Sequence, residues 1–210
     1  DKYPVEQVAT PEGYARNPEL VINFYNERRK QLLDVVPNAG HLGVADLERD
    51  FNVTVVTQNV DNLHERAGST HVIHLHGELT KVCSSRDPYN PHFVKELAPE
   101  EYEVKLGDKA GDGTQLRPFI VWFGESVPEI ETAIRYVEQA DIFVIIGTSL
   151  NVYPAAGLLN YVPRAAEVYL IDPKPVDTHV MRPIHVIQKG ASEGVKELKA
   201  LLTATQPPLP

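Results

Sequence analysis

Five consecutive apolar residues, Ile142-Phe143-Val144-Ile145-Ile146, constrain the fold more than any other segment. The run is too short for a core helix and shows no apolar/polar alternation. It therefore reads as a strand covered on both faces, the pattern of a parallel sheet. Val53-Thr54-Val55-Val56-Thr57 is a second compact run, β-branched throughout, and suits another buried strand. Val72–His76, Phe119–Trp122, Val168–Ile171 and Ile184–Ile187 complete the predicted strands.

Helical spacing alternates with these runs. Asn17 suits an N-cap and Pro18 the first helical position. Leu20, Val21, Phe24, Leu32 and Leu33 then recur on one face, which predicts a helix from Pro18 to Val35. Asn38 caps a second, shorter helix through Leu47, and Gly68 stops a short helix after a polar turn. Further helices are expected over Pro128–Ala140, over Pro154–Tyr161, and from a Ser192 cap through Leu202. Strands alternating with helices define an α/β fold with a mainly parallel sheet. From Thr80 to Leu116 apolar density drops, so this stretch reads as an excursion from the core; the proline-rich tail from Gln206 reads as disordered.

Ligands of such sheets bind at the carboxyl ends of strands. After Thr57 comes Gln58-Asn59-Val60-Asp61-Asn62-Leu63-His64, a turn crowded with hydrogen-bonding side chains. Its amides can read a carboxamide or ribose hydroxyls, and Asp61 can accept from an amide NH₂. A capped helix start is the alternative reading. His76 closes the next predicted strand beside Gly77, a good place for a general base, although a structural histidine fits equally. His74 and His76 share a strand face, so a metal site with His71 or His64 is conceivable. Gly147-Thr148-Ser149 follows the apolar strand, where a helix N-terminus can receive phosphate or ribose.

Composition narrows the classes. The chain is 42% apolar, and no run approaches the roughly 20 residues of a membrane helix. Asp1-Lys2-Tyr3-Pro4 shows neither a basic nor an apolar signal region. Cys83 is the single cysteine, which excludes internal disulfides and multi-cysteine metal sites and makes a reducing, cytoplasmic setting the default. A net charge of −9 argues against general nucleic-acid binding and is compatible with a cationic protein partner.

Taken together, Thr57–His64, Ala67-Gly68, His74-Leu75-His76-Gly77, Val121-Trp122-Phe123-Gly124-Glu125 and Gly147-Thr148-Ser149-Leu150 with Val152, Pro154, Ala155 and Ala156 resemble the sirtuin family. The likeness is to its bacterial class III type and covers nearly the whole chain. It implies a Rossmann-like NAD-binding domain, expected over residues 44–76 and 118–210, and a small lobe over 14–43 and 77–117. It implies an NAD-dependent protein-lysine deacylase that passes the acyl group to ADP-ribose and releases nicotinamide. By the same resemblance, Gln58, Asn59, Val60 and Asp61 contact the nicotinamide side of NAD and His76 is the base. Gly147, Thr148, Ser149, Asp172 and Ala191 would hold the adenosine half, with Asp172 standing where the family usually has Asn. Val121, Phe123 and Gly124 would line the acyl-lysine tunnel. Tyr25 and Arg28 look like the Tyr-x-x-Arg pair of members that prefer succinyl, malonyl or glutaryl lysine, because a guanidinium and a hydroxyl can bind a distal carboxylate.

Two departures carry expectations of their own. The family's four zinc cysteines are reduced to Cys83 in Cys83-Ser84-Ser85-Arg86, so no zinc is expected. The family's N-terminal Gly-Ala-Gly-like turn would precede Asp1, so the chain is expected to be a fragment of a longer one. The competing functions are a non-catalytic NAD or ADP-ribose binding module and a metal-dependent hydrolase built on His71, His74 and His76.

Overall fold

The computed structural model describes residues 3–148, 155–176 and 180–204. In chain order the elements are α1 (Val5–Val8), α2 (Pro11–Arg16), α3 (Pro18–Leu32), α4 (Ala39–Asp46), β1 (Val55–Thr57), α5 (Leu63–Ala67), β2 (Val72–His74), β3 (Gly77–Ser84), β4 (Lys95–Glu96), β5 (Leu116–Ile120), α6 (Ile130–Val137), β6 (Ile142–Ile146), α7 (Ala155–Leu159), β7 (Glu167–Ile171), β8 (His185–Ile187) and α8 (Ala191–Ala204). Among the described residues the strands form three small sheets, ordered β1-β2, β4-β3-β5 and β6-β7-β8. No helix among the described residues is long and apolar enough to cross a membrane.

By spatial proximity the chain divides into two compact units. The first holds residues 1–36, 56–62 and 74–129. Here α3 starts as the sequence predicts: Asn17 Oδ1 accepts from Leu20 N–H at 3.2 Å and Pro18 opens the helix. It ends at Leu32, a turn earlier than the apolar spacing suggests. Its buried face carries Ile22, which packs with Val82, Leu97 and Val104. The same face buries Asn26 and Arg29 against the 102–104 segment. Asn26 Nδ2 donates to Val104 C=O at 2.8 Å, and Arg29 Nε donates to Tyr102 C=O at 2.8 Å. Burial pushes the Arg29 guanidinium down to about 10.

The expected excursion over Thr80–Leu116 is partly sheet. β3 pairs antiparallel with β4 and β5, with Cys83 opposite Arg117 and Ser84 opposite Leu116. The sequence hides β3 because polar Glu78, Thr80 and Lys81 interrupt its apolar positions.

The second unit holds residues 37–55, 63–73 and 130–210. β6, β7 and β8 run parallel, in register from Ile142↔Glu167 to Ile146↔Ile171. This is the sheet the apolar run demanded. Tyr169, Ile171 and Ile187 pack against Val195, Leu198 and Leu202 of α8 and against Leu47. Each large apolar side chain buried here contributes about 1.5–3 kcal/mol. Asn38 and His41 close a reciprocal cap on α4, each side chain accepting the other's backbone N–H at 3.0 Å.

These units differ from the lobes expected from sequence. Residues 37–43 join the parallel sheet's unit because α4 packs on α8, where a Cβ at Gly40 would meet Ala191 Cβ at 3.2 Å. Residues 118–129 join the other unit because β5 pairs with β3. α8 begins at Ala191, so Ser192 lies within its first turn rather than at its cap.

Candidate functional site

The polar turn after β1 is held by hydrogen bonds from within it and from neighbouring strands. Asn59 N–H donates to Thr57 Oγ1 at 3.0 Å, and Leu79 N–H donates to Val60 C=O at 2.8 Å. His74 Nδ1 lies 3.1 Å from Asn59 C=O. A carbonyl only accepts, so His74 carries its proton on Nδ1. His74 is thus a support for this turn, a role the sequence did not disclose. The turn opens onto a cleft of about 370 Å³ lined by Arg28, Gln31, Leu32, Val35, Gln58, Asn59, Val60, Asp61 and Leu79. Four residues expected to contact NAD, and one expected to read the acyl group, therefore line one cavity.

His76 does not end a continuous strand. β2 stops at His74, Leu75 and His76 turn the chain, and Gly77 opens β3. The turn is dictated by Gly77, whose φ is +87° and where a Cβ would stand 2.1 Å from Phe119 C=O. His76 is half-buried, and desolvation lowers its pKa from the ordinary 6.5. Its carbonyl accepts from Val121 N–H at 2.9 Å, which ties the expected base to the segment expected to line the acyl-lysine tunnel.

That segment is a fixed turn. Glu125 N–H donates to Trp122 C=O at 3.0 Å, Trp122 N–H donates to Glu125 Oε1 at 2.9 Å, and Gly124 takes a φ of +89°. Phe123 N–H donates to Ala9 C=O at 3.0 Å, and the residue is 69% exposed. Glu125 is anchored in turn by buried Arg117 and by Tyr89, whose hydroxyl donates to it at 2.9 Å. The Arg117 guanidinium lies 3.8 Å from the Trp122 ring centroid. Trp122 and Glu125 stood in a quoted motif without a role, while Arg117 and Tyr89 gave no signal by spacing.

Tyr25 and Arg28 separate. Arg28 is exposed, faces the cleft and stacks its guanidinium over Phe24 at 5.6 Å. Tyr25 is 5% exposed and does not line the cleft. Its hydroxyl donates to Val8 C=O at 2.9 Å and accepts from Trp122 Nε1–H at 3.0 Å.

In the second unit, Gly147 follows β6 with a φ of +67°, and among the described residues nothing beyond its chain neighbours lies within 4 Å of where its Cβ would be. Asp172 follows β7, and its Oδ1 accepts from Lys174 N–H at 2.8 Å. Ala191 opens α8. These positions lie at the carboxyl ends of β6 and β7 and at a helix start, as phosphate or ribose contacts require. Thr148 follows Gly147, and Ser149 lies outside the described residues. The expected helix start at Pro154 and the tail from Gln206 are outside them as well.

The histidine set of the hydrolase alternative is not assembled. Among the described residues, His71, His74 and His76 form no metal-ligating cluster. His71 Nδ1 is engaged by Thr54 Oγ1 at 2.9 Å, and the turn after β2 removes His76 from the strand face of His74.

Comparison with known proteins supplies the family. A Sir2 family model matches residues 1–154. The chain is 84% identical over 202 residues to a protein of Bacteroides thetaiotaomicron named NAD-dependent protein deacylase, covering 96% of this chain and 86% of that one. A Helicobacter pylori protein of the same name is 46% identical over 194 residues, covering 92% and 82%. Among solved structures, a Sir2 homologue mutant in complex with ADP ribose superimposes with a TM-score of 0.81 at 32% identity, covering 98% of this chain and 84% of that one. A Sir2 homologue–NAD complex gives 0.79 at 35% identity, covering 98% and 80%. The fold and the site define a Rossmann-like α/β protein of the kind that takes NAD. The chain belongs to the Sir2 family, the sirtuins.

Proposed function

We propose that this NAD-dependent protein deacylase acts preferentially on lysines whose acyl group ends in a carboxylate, such as succinyl or malonyl lysine. The observation that carries this reading is the cleft in which exposed Arg28 joins Gln58, Asn59, Val60 and Asp61. A guanidinium can hold a carboxylate through two N–H donors, and an acetyl group would leave those donors unused. Tyr25 can assist only by exchanging Val8 C=O for the substrate as acceptor of its proton.

The turn after β1 suits the nicotinamide side of NAD. Asn62 Oδ1 is buried without a partner next to Asp61, an acceptor matched to amide or hydroxyl donors. Gly147, Thr148, Ser149, Asp172 and Ala191 would take the adenosine half. NAD, when bound, supplies the electrophilic ribose carbon and the hydroxyls to which the acyl group passes as nicotinamide leaves. His76 would take a ribose hydroxyl proton, and desolvation, by lowering its pKa, favours the neutral imidazole that can accept it. Val121, Phe123 and Gly124 align the acyl-lysine, and the substrates are acyl-lysine proteins or peptides.

We propose no zinc for this chain. Cys83 is its single cysteine, is buried, and is pushed up to about 12 by burial, whereas a zinc ligand must be thiolate.

The acyl preference is tested with Arg28→Met. Desuccinylation should fall at least about tenfold more than deacetylation, as loss of a charge-assisted pair requires. An equal fall on both peptides would remove Arg28 from acyl recognition.

A further inference from the structure

We propose that Trp122 is a specificity-determining positioning residue, whose indole N–H fixes the direction in which Tyr25 donates its hydroxyl proton. This inference rests on the acidic-acyl reading above. A phenol has one proton and accepts at its oxygen, whereas an indole nitrogen only donates. Trp122 Nε1 lies 3.0 Å from Tyr25 Oη, so the indole occupies an acceptor site of that oxygen. The phenolic proton is left to point elsewhere, and here it goes to Val8 C=O at 2.9 Å. Without the indole N–H the hydroxyl could turn and would be a less constant donor. An acyl carboxylate is acceptor-only and would take this proton in place of the Val8 carbonyl.

The indole is itself immobilised. Trp122 is 2% exposed, its backbone N–H is held by Glu125, and Arg117 stacks on its ring at 3.8 Å. Tyr14 packs against the same ring with centroids 5.3 Å apart. The donor therefore stands on a rigid support, the condition under which one hydrogen bond can set the direction of another.

Trp122 is the only tryptophan of the chain, so it can be replaced specifically by its benzothienyl analogue, which keeps the ring shape and puts sulfur in place of N–H. Trp122→Phe is the second variant, and thermal unfolding checks the fold of both. The readout is the ratio of kcat/KM on succinyl-lysine to that on acetyl-lysine peptide. We expect the ratio to fall about five- to tenfold with the analogue, as for one lost hydrogen bond. In a Tyr25→Phe background the analogue should lower it no further. An unchanged ratio, or the same fall in the Tyr25→Phe background, would overturn the assignment. If the wild-type enzyme shows no succinyl preference, or Arg28→Met leaves the ratio unchanged, the acidic-acyl reading fails and this inference with it. If both of those hold while the analogue is silent, only the role of Trp122 fails.

Discussion

Arg117 and Glu125 form a buried two-point ion pair, with Nη1 3.0 Å from Oε2 and Nη2 3.1 Å from Oε1. Both Arg117 Nη2 and Tyr89 also bind within this knot, Nη2 reaching Ile120 C=O at 2.7 Å. Glu125→Gln would leave a guanidinium that is 3% exposed without its counter-charge. Such a loss costs about 3–5 kcal/mol, and replacing both partners with apolar residues of like volume costs less. Chemical denaturation should therefore rank Arg117→Met/Glu125→Leu above Glu125→Gln. Burial alone would raise the Glu125 carboxyl, but hydrogen bonds from Arg117 and Trp122 N–H outweigh it and hold it lowered. A lowered carboxyl stabilises the fold above its unfolded value and loses that contribution as pH falls through the folded one. The gap between wild type and Glu125→Gln should narrow on acidification below the ordinary 4.5.

Gly77→Ala should cost about 3 kcal/mol or more, because the φ of +87° and the Phe119 carbonyl both exclude a side chain. The substitution would displace His76, so activity should fall with stability. A soluble variant with a wild-type unfolding midpoint would contradict the turn described for residues 75–77.

Ser84 ties the end of β3 to the segments on either side of it. Its Oγ donates to Asp112 Oδ2 at 2.5 Å, contacts Thr114 Oγ1 at 3.0 Å, and accepts from Arg86 and Asp87 N–H at 3.0 and 2.9 Å. Ser84→Ala leaves several of these groups unsatisfied and should cost about 1–3 kcal/mol. Metal analysis of the purified protein should find zinc well below one per chain, and chelators should not move its melting temperature. Stoichiometric zinc would refute this.

His76→Ala should abolish turnover while leaving the fold largely intact. Burial lowers the His76 pKa, so the neutral base persists to more acidic pH. The acidic limb of kcat/KM should therefore fall below the ordinary 6.5. A limb above that value would assign the base role to another group.

The parallel sheet was legible because an unbroken apolar strand has few other uses, and the caps of α3 and α4 were legible because Asn17 and Asn38 have a local function. Other features were not. β3 breaks polar/apolar alternation at Thr80-Lys81 and Val82-Cys83, in a stretch rich in Lys, Glu and Pro, and its identity depends on pairing with β5, a partner distant in sequence. The separation of Tyr25 and Arg28 also escaped the helical spacing, since residues three apart diverge in direction and only tertiary packing decides which one is covered. The same limit hid Arg117 and left Trp122 in a quoted motif without a role, since their parts are played through contacts with Glu125 and Tyr25.

The central claim is tested most directly by incubating the protein with succinyl-lysine and acetyl-lysine peptides, each with and without NAD. The account predicts nicotinamide release and loss of the acyl group only when NAD is present, with kcat/KM higher on the succinyl peptide. Acyl release from neither peptide in the presence of NAD, or acetyl-lysine cleaved far better than succinyl-lysine, would contradict it.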